Sequence, residues 1–282
     1  MTIRFKMLSK RFILAAALAV LPLSAMALPA WSASSPWIGT KGGKLRLVAL
    51  PPDAQGTIRG FVEITPEDGW HTYWKVPGSG GIPPQISLKD GGNAKLEKLD
   101  FPAPRIFDDG KLRDFGYDAR VMLPLTLKQD MPGQPSTVDA SLFIGLCSDI
   151  CVPFQAEVSV KVAPDDKPKP AEIALVNAAR ALLPEAPGTD FSVEEARATE
   201  DGQGVVLKLR LPAGADPGTA DVIAIGPDGQ PLSRLMRRTS ETGTLFAEAR
   251  MPGGSADGLK GKTLTILALA ASRAMETTVI LK

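Results

Sequence analysis

From Phe154 to Val162 apolar and polar residues alternate without a break. Phe154, Ala156, Val158, Val160 and Val162 fall on one side and Gln155, Glu157, Ser159 and Lys161 on the other, the period of a half-buried strand. A second strand-like run, Ser141 to Leu146, precedes it. Lys44 to Leu50 and Gly56 to Thr65 read as the first strands, parted by Pro51-Pro52-Asp53, and in the second Ile58, Gly60, Val62 and Ile64 alternate with Thr57, Arg59, Phe61 and Glu63. Leu96 to Phe101 and Val121 to Leu127 continue the pattern. After Val162 it changes: Ala163 to Pro170 is a charged, proline-stiffened linker, and Ala171 to Leu183 carries Ile173, Val176, Ala179, Leu182 and Leu183 near one helical face before Pro184 ends it. Strand patterns return at Val205 to Leu211, Asp221 to Ile225, Leu245 to Met251, Lys262 to Ala270 and Thr277 to Leu281, with Gly226-Pro-Asp-Gly229 as a turn. Many short strands with 27 glycines and 25 prolines predict an all-β protein.

The N-terminus follows another rule. Arg4, Lys6, Lys10 and Arg11 precede the apolar run Phe12 to Leu23, and Ala25-Met26-Ala27 offers small residues for cleavage, so residues 1–27 read as an export signal, with a cut near Ala33 as the alternative. The run falls short of the roughly 20 residues of a membrane span, and no later segment is long and apolar enough to cross a bilayer. About 250 residues then remain, enough for two β domains. The net charge of +1, from 32 basic and 31 acidic residues, gives no strong field for nucleic acid or an anionic membrane.

Between the early strands lie two stretches rich in aromatic residues. Gly69-Trp70-His71-Thr72-Tyr73-Trp74 reads as an aromatic strand whose Trp70, Tyr73 and Trp74 either fill the core, the favoured reading, or form a binding wall, with His71 as a hydrogen-bonded structural residue. The glycine-rich loop after it, through Pro77-Gly78-Ser79-Gly80-Gly81, lacks the Lys-Ser/Thr and following helix of a phosphate loop. Pro102 to Asp118 is a long loop with Phe107, Phe115 and Tyr117 as apolar handles, which either fold over something reactive or anchor the loop. Arg234, Arg237 and Arg238 read as a solvated basic face.

Candidate chemistry rests on the only two cysteines, Cys147 and Cys151. Extended, the four steps between them would span about 13 Å, whereas a disulfide needs Cα atoms roughly 4.4 to 6.8 Å apart. A bond therefore requires the chain to double back at Ser148-Asp149-Ile150, giving a hairpin with a cysteine at each side of its tip. Three readings stay open. A structural bridge over so short a loop contributes only about 2.5 kcal/mol by chain entropy. A tip disulfide also suits thiol–disulfide exchange, and two thiolates suit Cu(I). His71 is the single histidine, and no second cysteine pair completes a closed zinc site. Asp149 disfavours a nearby thiolate and no Lys or Arg lies at the tip, so unremarkable thiol acidity is expected.

Three motifs together resemble the N-terminal periplasmic domain of the DsbD/ScsB thiol-disulfide interchange proteins: Gly69-Trp70-His71-Thr72-Tyr73-Trp74 with Pro77-Gly78-Ser79-Gly80; Phe101-Pro102-Ala103-Pro104-Arg105 leading to Asp114-Phe115-Gly116-Tyr117; and Cys147-Ser-Asp-Ile-Cys151-Val-Pro. The resemblance covers residues 40–163. It implies an immunoglobulin-like β-sandwich whose pair, Cys147 and Cys151, is the redox site, shielded by a cap loop onto which Phe115 and Tyr117 map. The cysteine spacing is narrower than in DsbD and closer to the ScsB type. It further implies protein-disulfide reductase activity of a relay kind without a cofactor or metal. The partners implied are a membrane thiol reductant of DsbD, ScsB or CcdA type and periplasmic thioredoxin-like proteins, in cytochrome c biogenesis, disulfide isomerisation or copper tolerance. The membrane-spanning and thioredoxin-like domains of the full-length family are not found in this sequence, so its electrons are expected from a separate protein. Residues 164–188 then read as a linker with a short helix, and 189–282 as a second, smaller β-sandwich-like domain.

Overall fold

The computed structural model describes residues 33–78, 80–108, 113–232, 235–239, 243–250 and 255–282, with only the backbone of 235–239 and of 250 described. The export signal expected at 1–27, Arg234 and the side chains of Arg237 and Arg238 lie outside what is described.

Eleven strands build the first sandwich: β1 (Ile38–Thr40), β2 (Gly43–Ala49), β3 (Thr57–Pro66), β4 (His71–Gly78), β5 (Gln85–Leu88), β6 (Lys95–Leu99), β7 (Arg105–Asp108), β8 (Arg113–Tyr117), β9 (Val121–Lys128), β10 (Ser136–Cys147) and β11 (Cys151–Val162). One sheet has the order β1-β2-β3-β9-β6; the other runs β11-β10-β4-β8-β7, with β5 also pairing β10. All these pairs are antiparallel, from β10 on β11 to β7 on β8. The alternation read from the chain becomes a core of Leu45, Leu47, Ile58, Ile64, Leu123 and Leu125 from one sheet against Trp74, Phe115, Ile144, Leu146, Phe154 and Val158 from the other. Burying each such side chain contributes roughly 1.5–3 kcal/mol.

The sandwich tolerates no side chain at Gly60, where β2 and β3 run close together. A Cβ there would sit 2.1 Å from the Val48 carbonyl oxygen. On the outer face of the first sheet lies helix α1 (Pro170–Ala181), opened by Pro170, with the Lys169 N–H donating to the Glu172 carboxylate at 3.2 Å. Its Val176 and Ala179 pack on Val48 and Phe61, while Ile173 and Leu182 at the margins of the apolar stripe stay exposed.

The remaining strands form two further sheets, a smaller second sandwich. They are β12 (Ser192–Ala198), β13 (Gly204–Arg210), β14 (Asp221–Ile225), β15 (Leu235–Thr239), β16 (Thr244–Arg250), β17 (Thr263–Ala270) and β18 (Arg273–Ile280), in the orders β12-β13-β16-β15 and β14-β17-β18. Period two puts Val222, Ala224, Ile266 and Ala268 into their own core, and Ile223, Ile225 and Leu267 into the core cluster of the first sandwich. Lys75 on β4 donates to both carboxylate oxygens of Glu276 on β18, at 2.6 and 2.8 Å. The second sandwich is therefore docked on the first through apolar contact and an ion pair, and is not a loosely tethered spacer.

Trp74 is fully buried and meets Phe115 edge to face, with ring centroids 6.4 Å apart. Trp74→Ala is expected to lower unfolding free energy by about 3–5 kcal/mol, read from the urea midpoint by circular dichroism.

Candidate functional site

The hairpin of β10 and β11 closes on Cys147 opposite Cys151, and the two are joined in a disulfide with Cα atoms 4.1 Å apart. The chain turns back over Ser148, Asp149 and Ile150, all exposed. The two sulfurs are not equivalent. Cys147 is 1 % exposed, whereas Cys151 stands at the surface.

Register decides what surrounds them. Cys147 pairs with His71 on β4, so these two side chains and that of Cys151 share one face of the sheet, the face turned away from the sandwich core. Tyr73, two residues after His71, falls on the same face. Its hydroxyl donates to Cys147 Sγ at 2.8 Å and lies 3.3 Å from Cys151 Sγ. Two glycines make room for the ring: a Cβ on Gly81 would come within 2.2 Å of Tyr73 Cδ1, and one on Gly145 within 3.1 Å of Cδ2. A third, Gly116, lies opposite Tyr73 on β8 and brings the strands together, since its Cβ would meet the Thr72 carbonyl oxygen at 2.0 Å. The glycine-rich loop after β4 is thus a lid over the tyrosine.

His71 stands edge-on to Tyr73, with centroids 5.1 Å apart, and against Phe107 at 4.9 Å. Its Nε2 is enclosed and has no hydrogen-bond partner among the described residues. Burial holds the imidazole below its ordinary value of 6.5, against the opposing pull of Asp114 and Asp118. Burial, helped by Asp114, pushes the Tyr73 phenol up to about 12, so near neutrality it is a hydrogen-bond donor and not a source of protons. Asp118 itself is paired with Arg105 at 2.5 Å.

Phe115 and Tyr117, mapped above to the cap, do not face the disulfide. Both side chains lie in the sandwich core, Phe115 against Trp74 and Tyr117 donating its hydroxyl to the Pro102 carbonyl at 2.7 Å. The cause is strand parity. Tyr117 pairs with Thr72, and Thr72 and Trp74 point opposite to His71 and Tyr73. Among the described residues of that hairpin, Phe107 does reach the site, through His71. Tyr73 needs the converse correction: it is 2 % exposed, but buried under the glycine loop against sulfur and not in the sandwich core. His71 and Tyr73 were legible only as members of an aromatic strand, because nothing local in the sequence names the partner strand that pairs with them.

No group of three or more metal-ligating side chains is arranged to hold an ion among the described residues. What the arrangement can do is exchange sulfur. A thiolate attacking Cys151 from the surface would expel Cys147 at a buried position, where the Tyr73 hydroxyl is placed to donate to the departing sulfur.

The first unit is thus an immunoglobulin-like sandwich with a half-shielded cross-strand disulfide at one sheet end. Residues 46–163 match the family model of the thiol:disulfide interchange protein DsbD, N-terminal. Over those residues the first sandwich is similar to that N-terminal domain. Among solved structures the fold is similar to the N-terminal periplasmic domain of ScsB from Proteus mirabilis, with a TM-score of 0.70 and 21 % identity over 89 % of this chain and 98 % of that one. The adhesin domain of Epf from Streptococcus pyogenes covers 88 % of this chain and 79 % of its own at 12 % identity and a TM-score of 0.26. The titin tandem immunoglobulin domains A164-A165 cover 86 % and 98 % at 8 % and 0.23. None of the curated proteins matches the sequence.

Two outcomes follow from this geometry. His71 binds its proton less readily folded than unfolded, so the stability it contributes is fully present above pH 6.5 and is lost as the pH falls below it. Its ring resonances, those of the only histidine, should titrate with a midpoint below 6.5 by NMR. Tyr73→Phe keeps the packing and removes the donor to Cys147 Sγ, so reduction of the disulfide by dithiothreitol should slow by about tenfold in a quenched-flow assay.

Proposed function

We propose that this protein is an exported thiol–disulfide interchange module in which Cys147 and Cys151 cycle between disulfide and dithiol. A partner dithiol supplies two electrons and two protons. One of its thiolates attacks Cys151 Sγ, the Cys147–Cys151 bond breaks, and Cys147 leaves as a thiolate that takes up a proton. The second partner thiolate then attacks the mixed disulfide, releasing Cys151 as a thiolate that is also protonated, and the partner departs oxidised. Run in reverse, the dithiol passes the same two electrons to an oxidised partner.

The observation that carries this reading is the unequal exposure of the two sulfurs, one sealed and one at the surface, within a sandwich that matches the DsbD N-terminal model over residues 46–163. A bridge serving stability alone gains nothing from presenting one sulfur to solvent beside a hydrogen-bond donor. The family supports a membrane thiol reductant as donor, thioredoxin-like proteins as acceptors, and the periplasm as the compartment. Phe107 over His71, with the Gly81 lid, is proposed as the shield in place of Phe115 and Tyr117.

Trapping tests the mechanism. Cys147→Ser leaves the exposed Cys151 thiol and should accumulate mixed disulfides with exported thiol proteins, identified by mass spectrometry. Cys151→Ser leaves only the sealed Cys147 and should trap at least tenfold less. Equal or absent trapping by both variants would refute the assignment of Cys151 as the attacking and attacked sulfur.

A further inference from the structure

The sealed sulfur has a proton to lose. Once Cys151 has attacked a partner disulfide, Cys147 must give up its thiol proton before it can attack in turn and release the partner. Cys147 is 1 % exposed, so bulk water has no direct access to that proton. Tyr73, in hydrogen-bond contact with the sulfur, does not serve as the base: its oxygen keeps its own proton up to about pH 12 and donates it toward Cys147 Sγ.

A nitrogen base stands beside the sulfur. His71, the first residue of β4, is directly opposite Cys147, the last of β10. Side chains opposed in this way have Cβ atoms roughly 4.5–5.5 Å apart, within the reach of an imidazole. Phe107 against the ring and Tyr73 at its edge fix its orientation. Its Nε2 is enclosed and lacks a hydrogen-bond partner among the described residues, an arrangement that costs stability and calls for a reason. Two sulfurs joined in a disulfide have no proton to offer it. Reduction creates the missing donor, the Cys147 S–H on the same face of the sheet. The residue as a whole is only half-buried, so a proton received at the enclosed nitrogen has a short way to solvent. The charged groups acting on the ring among the described residues are the carboxylates of Asp114 and Asp118, the latter paired with Arg105, and toward the hairpin it faces Tyr73 and the two cysteines. Burial outweighs both carboxylates and holds the imidazole below 6.5, so near neutrality it is unprotonated.

We infer that His71 is the proton acceptor for the sealed Cys147 thiol and thereby controls closure of the disulfide. In the mixed disulfide the Cys147 S–H donates to His71 Nε2, and the imidazole takes the proton. Cys147 then attacks Cys151 Sγ as a thiolate. The Cys147–Cys151 bond forms, the bond from Cys151 to the partner sulfur breaks, and the partner leaves as a thiolate with the electron pair of that bond. The imidazolium, steadied by Asp114 and Asp118, returns its proton to solvent. Opening of the disulfide runs the same steps backwards, with the imidazolium protonating Cys147 as it departs. This inference rests on the exchange function proposed above.

Closure is timed on the full chain, reduced and then mixed with oxidised glutathione. Cys151 first takes up glutathione, and quenched flow with mass spectrometry follows its loss as the Cys147–Cys151 bond closes, across the range in which histidine titrates, about pH 5 to 8. The rate of loss should rise with pH and level off, with a midpoint below 6.5 that coincides with the NMR titration of His71, the only histidine, in the reduced protein. His71→Phe keeps a ring against Phe107, and His71→Gln keeps a polar group. In both the levelling should vanish, the rate should climb about tenfold per pH unit with the thiolate fraction, and closure near neutrality should slow by about a hundredfold. The comparison of kinetic and NMR midpoints needs no variant to fold. A wild-type rate that climbs without a break, midpoints that disagree, or a plateau kept by both variants overturns the role of His71 and leaves the exchange function standing. A reduced protein that neither takes up glutathione nor closes its bond overturns both.

Discussion

A single antiparallel pair without backbone hydrogen bonds, Cys147 opposite Cys151, sets the geometry of the whole site. Because its Cα atoms lie 4.1 Å apart, the bridge closes at the end of the ladder without breaking it. The same pairing phase tolerates Pro153 two residues later. On the other side of β10 the register continues to His71 on β4, which brings Tyr73 under the sulfurs. Slipping β10 by one residue against β4 would turn Cys147 inward and leave Tyr73 opposite nothing it could donate to.

The six-stranded sheet thus works with both faces. Trp74, Phe115, Tyr117 and Leu146 make the sandwich interior, while His71, Tyr73, Asp114, Asp118 and the two cysteines make a chemical surface behind it. Division by parity lets the site carry polar and reactive groups without placing any of them in the apolar core, where an unpaired polar group costs roughly 1–3 kcal/mol. It also explains how a chain only 21 % identical to the ScsB structure has a similar fold: what must persist is the alternation and the register, and many residue choices satisfy both.

The second sandwich enters as a brace. Its strands β14 and β17 present apolar residues on both faces, and Glu276 on β18 pairs with Lys75, two residues beyond Tyr73 on the strand that lines the site. The strand bearing the tyrosine is held from the glycine lid on one side and from the neighbouring sandwich further along its length. A hydroxyl positioned against sulfur needs such restraint, because hydrogen bonds weaken steeply when distance and angle are lost.

Much of this was legible from residue order alone. The alternation at Phe154 to Val162 specified β11 and its inward face, and the spacing of Cys147 and Cys151 demanded a hairpin if they were to bond. The helix was visible in its stripe and its prolines, to within two residues at its C-terminal end. These are local properties, governed by period and by chain reach. What residue order could not determine was which strands become neighbours. Phe115 and Tyr117 look like loop aromatics in sequence and are core residues because β8 pairs with β4 through Thr72 and Tyr117. Tyr73 looks like a core aromatic and is the donor to Cys147 because β4 lies beside β10, 74 positions away along the chain. Pairing at that separation is decided by how two sheets bury their inner faces together, and only the tertiary structure holds that information.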